Sequence, residues 1–318
     1  MVQIENLSKN FDGYLALNQL NLNIRKGSIY GLVGVNGSGK TTAIKHLAGI
    51  YRQDSGQVTI GGLPVYDNAT IKSFVGYIPD DLYFFPQYNM KSLRSFYMNM
   101  HKSWNDERYR RLLGLFSLDE KRKVGRFSKG MQKQAAFVFV MSVMPDVLLL
   151  DEPIDGLDPI VRKNVLQEII EDVAEREMTV LVSSHNLKEM DGICDSIGII
   201  KNGRMVIERD LDDLKSDVHK IQVAFGPESG HVTGHKGEQS SGHLNGLGLE
   251  ILHEESRGSV KLLVVRGKEE EVSNRINSFN PIIYDRLPLT LEEIFIYETE
   301  GANTNPCEKS TKEAWNKS

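Results

Sequence analysis

Apolar residues in the first sixty positions come in short runs of strand length, at 2–7, 20–24 and 58–60, parted by turn signals such as Asp12-Gly13 and Lys26-Gly27. Short runs between such breakers predict β-structure. Residues 28–33 read as a buried strand leading into the glycine-rich stretch 34–39, with a helix expected from Lys40 to about Ala48. From Met90 to Ser142 the spacing is mostly helical, with a break at 125–130. Residues 147–150 are apolar without interruption, as in a strand covered on both faces, and 179–184 form a second such strand. Between them Asp158-Pro159 opens a helix that runs to about Arg176. Aspartate accepts from free amides at an N-cap, and proline's fixed φ suits the first helical position. Strands alternating with helices predict an α/β fold with a mainly parallel sheet.

The pattern changes after about Lys220. Residues 226–248 are rich in Gly, Ser and His and read as a mobile loop, with His231, His235 and His243 in surroundings that offer no rigid metal geometry. Residues 249–253, 259–265 and 282–284 read as strands and 269–277 as a helix. The expected organisation is a large domain over 1–220, a small α+β appendage over 221–300, and a polar tail over 301–318 too poor in apolar residues to fold.

Composition fits that scale and narrows the function. With 318 residues, 40% of them hydrophobic, the chain can bury a sizeable core. A net charge of −5 argues against a protein whose main task is holding duplex nucleic acid, which needs a basic face. Cys194 and Cys307 lack ligand-like spacing, so neither a zinc site nor a disulfide framework is expected. The N-terminus has no basic flank followed by an apolar stretch, and runs such as 135–141 fall short of the ~20 residues that cross a bilayer. Any membrane role is therefore expected to go through a partner.

The chemistry is concentrated in a few motifs. Gly34-Val35-Asn36-Gly37-Ser38-Gly39-Lys40-Thr41, with Thr42 next, matches the P-loop pattern. A triphosphate must be held without steric hindrance. Glycines let backbone amides approach and turn inward, and the following helix adds its positive end. Lys40 would bridge the β- and γ-phosphates, and Thr41 would place its hydroxyl on Mg²⁺. Downstream, the apolar run 147–150 delivers Asp151 and Glu152 at the end where an α/β sheet binds ligands. Asp151 would hold Mg²⁺ through water, and Glu152 would polarise the attacking water as general base.

Arg126-Phe127-Ser128-Lys129-Gly130-Met131-Gln132 resembles the signature motif of ABC ATPases, usually Leu-Ser-Gly-Gly-Gln. Ser128 and Gly130 match; Phe127, Lys129 and Met131 depart. Ser128 can still bond a γ-phosphate oxygen at a helix start, and Gly130 still allows backbone approach. Residues 154–158, ending in Asp158, resemble the family's D-loop, His185 its switch histidine, and Phe11 its adenine-stacking aromatic, with Tyr14 the alternative. Where the family has a glutamine that contacts Mg²⁺ and faces the membrane subunit, this chain has Asp80. Aspartate could reach the metal through water but could not donate a hydrogen bond.

The resemblance implies a P-loop NTPase core with a parallel sheet, an N-terminal antiparallel β subdomain and a helical signature subdomain. It also implies ATP hydrolysis with Mg²⁺ and a homodimer or heterodimer of ABC ATPase subunits, because one signature closes on the other chain's P-loop. The partner implied is a transmembrane permease, at the cytoplasmic face of the membrane. The aromatic segment 82–86 is expected to help form the groove for that permease, a buried loop cluster being the alternative. Residues 287–295 resemble the C-terminal end of stand-alone ATPases of bacterial export-type systems. The rival readings are a soluble ABC ATPase of translation or DNA maintenance, and a regulatory module that binds ATP with little hydrolysis.

Overall fold

The computed structural model describes residues 2–225 and 248–301. The loop and tail expected at 226–248 and 301–318, with the three histidines and Cys307, lie almost wholly outside the described residues. The chain divides into two compact units after Asp210. The first begins with β1 (Val2–Phe11), β2 (Tyr14–Ile24), β3 (Ile29–Val33), α1 (Lys40–Leu47), β4 (Ser55–Ile60), β5 (Leu63–Pro64), α2 (Ala69–Lys72) and β6 (Val75–Ile78). Three helices follow, α3 (Met90–Met100), α4 (Asp106–Leu115) and α5 (Lys129–Ser142). It closes with β7 (Val147–Asp151), α6 (Pro159–Arg176), β8 (Thr179–Ser184), α7 (Leu187–Met190), β9 (Ser196–Lys201) and β10 (Arg204–Asp210). The second unit holds α8 (Leu211–Asp217), β11 (Val218–Phe225), β12 (Glu250–Arg257), β13 (Val260–Arg266), α9 (Glu269–Asn277), β14 (Pro281–Leu287) and α10 (Leu291–Gly301).

The central sheet has the order β10-β9-β3-β8-β7-β6. Its pairings are parallel except at the β9–β10 edge. β3, β7 and β8 are buried at every position, as expected of parallel strands covered on both faces. Ile78 pairs with Leu150, Asp151 with Ser183 and Val33 with Ser184. This register brings the segments after β3, β6, β7 and β8 to one edge of the sheet, the carboxyl ends of its strands. An antiparallel sheet, β2-β1-β4-β5, packs its apolar face on the same core: Ile4, Leu20, Leu22 and Val58 cluster with Leu32, Ile44, Leu149 and Leu181.

β1 and β2 run longer than the apolar runs suggested, meeting at the Phe11–Tyr14 pair of the hairpin. The outer end of β1, residues 8–11, needs backbone pairing but little burial, while that of β2 sets exposed Tyr14 and Leu15 beside buried Ala16 and Leu17, which breaks the alternation as the strands continue. Between β6 and β7, α3 starts at an Asn89–Ser92 capping box, and α4 is tied to α6 by ion pairs. Arg108 donates to both oxygens of Asp172 at 2.6 and 2.7 Å and Arg111 to Glu168, while within α6 Arg176 also donates to Asp172 at 2.7 Å.

The second unit is an antiparallel sheet, β12-β13-β11-β14, with Val272 and Ile276 of α9 packed on Ile221, Val223, Leu263 and Val265. The division at 210 lies ten residues before the composition change at 220. β11 starts at Val218 and pairs with β13 and β14, so its first residues belong to the second sheet.

Candidate functional site

The site is built from segments that the parallel sheet brings to its carboxyl edge, the usual place for ligands in such sheets. After β3 the chain turns through Gly34, Gly37 and Gly39. Gly37 and Gly39 have φ of 79° and 112°, left-handed conformations in which glycine is relaxed. At Gly34 a β-carbon would collide with Ile200 O and lie 2.6 Å from Ser38 Oγ, so no side chain fits. α1 then begins with no acidic residue in its first turn, which leaves its positive end uncancelled. Lys40 is 6% exposed and its ammonium donates to Gly34 O at 2.7 Å, folded back over the loop it follows.

Glu152 follows β7 with a left-handed φ of 48°. Its N–H donates to Ser183 Oγ at 3.1 Å, and Ser183 Oγ donates to Asp151 Oδ1 at 2.7 Å. Its Oε2 lies 3.0 Å from His185 Nδ1. Its Oε1 lies 3.3 Å from the Lys40 ammonium, yet at an angle that forms no hydrogen bond, and it is buried without another partner. Glu152 is thus in direct contact with both Lys40 and His185. Asp151 is 1% exposed and also accepts from Thr41. Burial raises its pKa above the ordinary carboxylate value, with the charges of Glu152 and Asp80 adding to the rise, against the hydrogen bonds from Ser183 and Thr41.

Two buried oxygens near this cluster also lack partners, Ser38 Oγ and Tyr77 Oη. Tyr77 is raised in pKa by burial and then by the Asp151 carboxylate. Orphaned buried oxygens beside a cationic loop fit a site whose ligand supplies the missing bonds. Thr41 and Asp151 offer hard oxygen donors beside the phosphate loop. That suits Mg²⁺, which keeps waters and is bound by one or two carboxylates plus phosphate oxygens.

The remaining expected residues have other partners in the single chain. Ser128 caps α5, accepting from Met131 N at 3.3 Å, and Gln132 reaches back to Phe127 O at 3.2 Å. A β-carbon on Gly130 would lie 3.3 Å from Gly156 O, so this glycine lets α5 approach the turn before Asp158. Asp158 caps α6 by accepting from Ile160 N and Val161 N. Phe11 stands edge-on to Tyr51, 5.3 Å between ring centres, and Tyr14 donates to Gly37 O at 3.4 Å. Asp80 is ion-paired to Lys133 at 3.1 Å. Lys133, Tyr77, Tyr51 and Ser183 were not singled out by sequence. Only Ser183, in the Ser-Ser-His run, carried a local signal; the others reach the site through pairings distant in the chain.

The family model for ABC transporters matches residues 17–155. The chain is similar to the ABC transporter ATP-binding protein YtrB of Bacillus subtilis (strain 168), 31% identical over 301 residues that cover 95% of this chain and 99% of that protein. It is also similar to the linearmycin resistance ATP-binding protein LnrL of the same organism, 32% identical over 68% of this chain and 71% of that protein. The bacitracin transport ATP-binding protein BcrA of Bacillus licheniformis is again 32% identical, with the same shares covered. A solved structure of the ATP-binding subunit of an ABC transporter superposes with a TM-score of 0.63 at 27% identity, covering 68% of this chain and 92% of that one. A dimeric bacterial ABC transporter cassette superposes with a TM-score of 0.61 at 21% identity, covering 66% and 99%, a likeness of fold.

Proposed function

The chain belongs to the ABC transporter ATP-binding proteins, an ATPase family, and we propose that it hydrolyses ATP as half of a two-chain motor that drives a separate transmembrane subunit. The observation that carries this reading is the placement of Glu152. Its carboxylate lies between Lys40 and His185, with the oxygen that faces Lys40 buried and without a hydrogen bond beside the phosphate loop. A module that only binds nucleotide needs no carboxylate held there.

In this reading the amides of residues 34–41 and the Lys40 ammonium hold the phosphates of ATP. Lys40 exchanges its bond to Gly34 O for phosphate oxygens. Glu152 Oε1 accepts a proton from the attacking water while His185 holds Oε2 and orients the carboxylate. Thr41 and Asp151 are the residues that would hold Mg²⁺, which when bound neutralises charge on the β- and γ-phosphates. Ser128 and Gly130, on the start of α5, serve the nucleotide of the other chain, a homologous or identical subunit. Phe11 lies beside the adenine.

The transmembrane partner is proposed from the family, since no described helix is long and apolar enough to cross a membrane. Support for its docking place comes from Tyr83 and Phe85, which are 78% and 52% exposed on the segment after Asp80. That favours the groove over a buried loop cluster. The chain then sits peripherally at the cytoplasmic face. Export is proposed as the direction, from the resemblance of residues 287–295, which end in α10, to export-type subunits.

Glu152→Gln tests the reading. It is expected to keep ATP binding and to lower steady-state phosphate release by about 10²–10⁴-fold, the usual worth of a positioned general base. Turnover at the unaltered rate would remove Glu152 from that role.

A further inference from the structure

Glu152 is gripped from a side that the hydrolytic reading does not use. Lys133 stands in the second turn of α5, its side chain 13% exposed. Its ammonium donates to Glu152 O at 2.8 Å and to Asp80 Oδ1 at 3.1 Å. Glu152 has a left-handed backbone, disfavoured for any residue with a β-carbon. Such a conformation persists only where the surroundings over-determine it. Here Ser183 holds the N–H and Lys133 holds the C=O. The backbone between those two bonds sets where the carboxylate points.

We propose that Lys133 is a positioning residue for Glu152, and that Asp80 anchors Lys133 in that position. The proposal rests on Glu152 being the general base. A lysine ammonium has three donors on a flexible stem, so one bond to a carbonyl does not fix it. The carboxylate of Asp80 adds a charge-assisted bond on the second donor. A neutral side chain at position 80 would hold the ammonium less firmly, which gives the aspartate here a task other than binding metal. Asp80 is 51% exposed, so solvent and salt weaken the pair and it can be broken. It stands two residues before the exposed aromatic segment at 82–86. A shift of that segment would carry away the anchor of Lys133 and with it the orientation of Glu152.

Lys133→Met, Asp80→Asn, the double variant and Glu152→Gln are compared for ATP affinity, by equilibrium binding of a fluorescent ATP analogue, and for kcat and KM of phosphate release. Lys133→Met is expected to lose about 10–100-fold in kcat, as for a catalytic group moved by a fraction of an ångström to an ångström, with ATP affinity nearly unchanged. Asp80→Asn should lose less, in kcat again. The double variant should be no worse than Lys133→Met, because the two residues act as one unit. Lys133→Arg, which keeps the charge, should recover part of the loss. If Glu152→Gln is inactive while Lys133→Met and Asp80→Asn keep full kcat, the positioning role is overturned and the general-base reading stands. If Glu152→Gln turns over normally, the general-base reading itself fails. A fall in ATP affinity that matches the fall in kcat would mean a merely structural role and overturns the proposal. Should Lys133→Met fail to fold, Asp80→Asn at the surface decides, and an unchanged kcat there overturns it.

Discussion

Asp151 closes β7 at 1% exposure, and burial, with the charges of Glu152 and Asp80 adding to it, holds its pKa above the ordinary carboxylate value despite bonds from Ser183 and Thr41. The folded chain without ligand therefore binds this proton more tightly than the unfolded chain does. Stability from the group is complete below the unfolded value near 3.8 and is lost as pH rises through the raised folded value. Above the raised folded value the ionised carboxylate is a cost that a bound cation relieves. Asp151→Asn is accordingly expected to raise the melting temperature of the ligand-free protein at pH 7, with the gain shrinking as pH falls toward 4. It should also abolish magnesium-dependent stabilisation by ATP. Melting curves at several pH values check both. A variant less stable than the parent at pH 7 would contradict the sign.

Among the elements, α4 and α6 are joined by charges rather than by apolar packing alone. Asp172 takes two bonds from Arg108 and one from Arg176, and the Arg108 and Asp172 side chains are 9% and 5% exposed. Removing one member leaves a buried charge unpaired, so Asp172→Ala should cost about 3–5 kcal/mol in denaturant unfolding. A loss under 1 kcal/mol would mean the guanidinium of Arg108 finds water. The elements legible in the sequence were those with strong local signals: the continuous apolar runs of β7 and β8, and the Asp158-Pro159 start of α6. The hydropathy pattern predicts neither β9 nor β10, although residues 196–200 are all buried. Asn202-Gly203 turns the chain between them, and β10 alternates exposed and half-buried positions at the sheet edge. The outer part of β1 is hidden for a related reason, since ladder hydrogen bonds made by its polar residues leave no hydropathy signal, and in β2 the exposed Tyr14 and Leu15 beside buried Ala16 and Leu17 break the alternation.

At the scale of the whole molecule, the phosphate loop, Asp151, Glu152 and His185 could be read as a site because each sits in a compact local motif. Their mutual contacts follow from the parallel strand order. Lys133 could not be read this way. It lies 53 residues from Asp80 and 19 from the carbonyl it holds, and only the fold brings the three together. Ser128 and Asp158 are occupied within their own chain as helix caps, so the proposed nucleotide sandwich needs a second chain to complete it. Light scattering on size-separated Glu152→Gln with Mg-ATP, with nucleotide assayed across the same peak, tests that most directly. The expected result is a species of two chains carrying one unhydrolysed ATP per chain, which reverts to single chains when magnesium is chelated. A single-chain species free of nucleotide would contradict it.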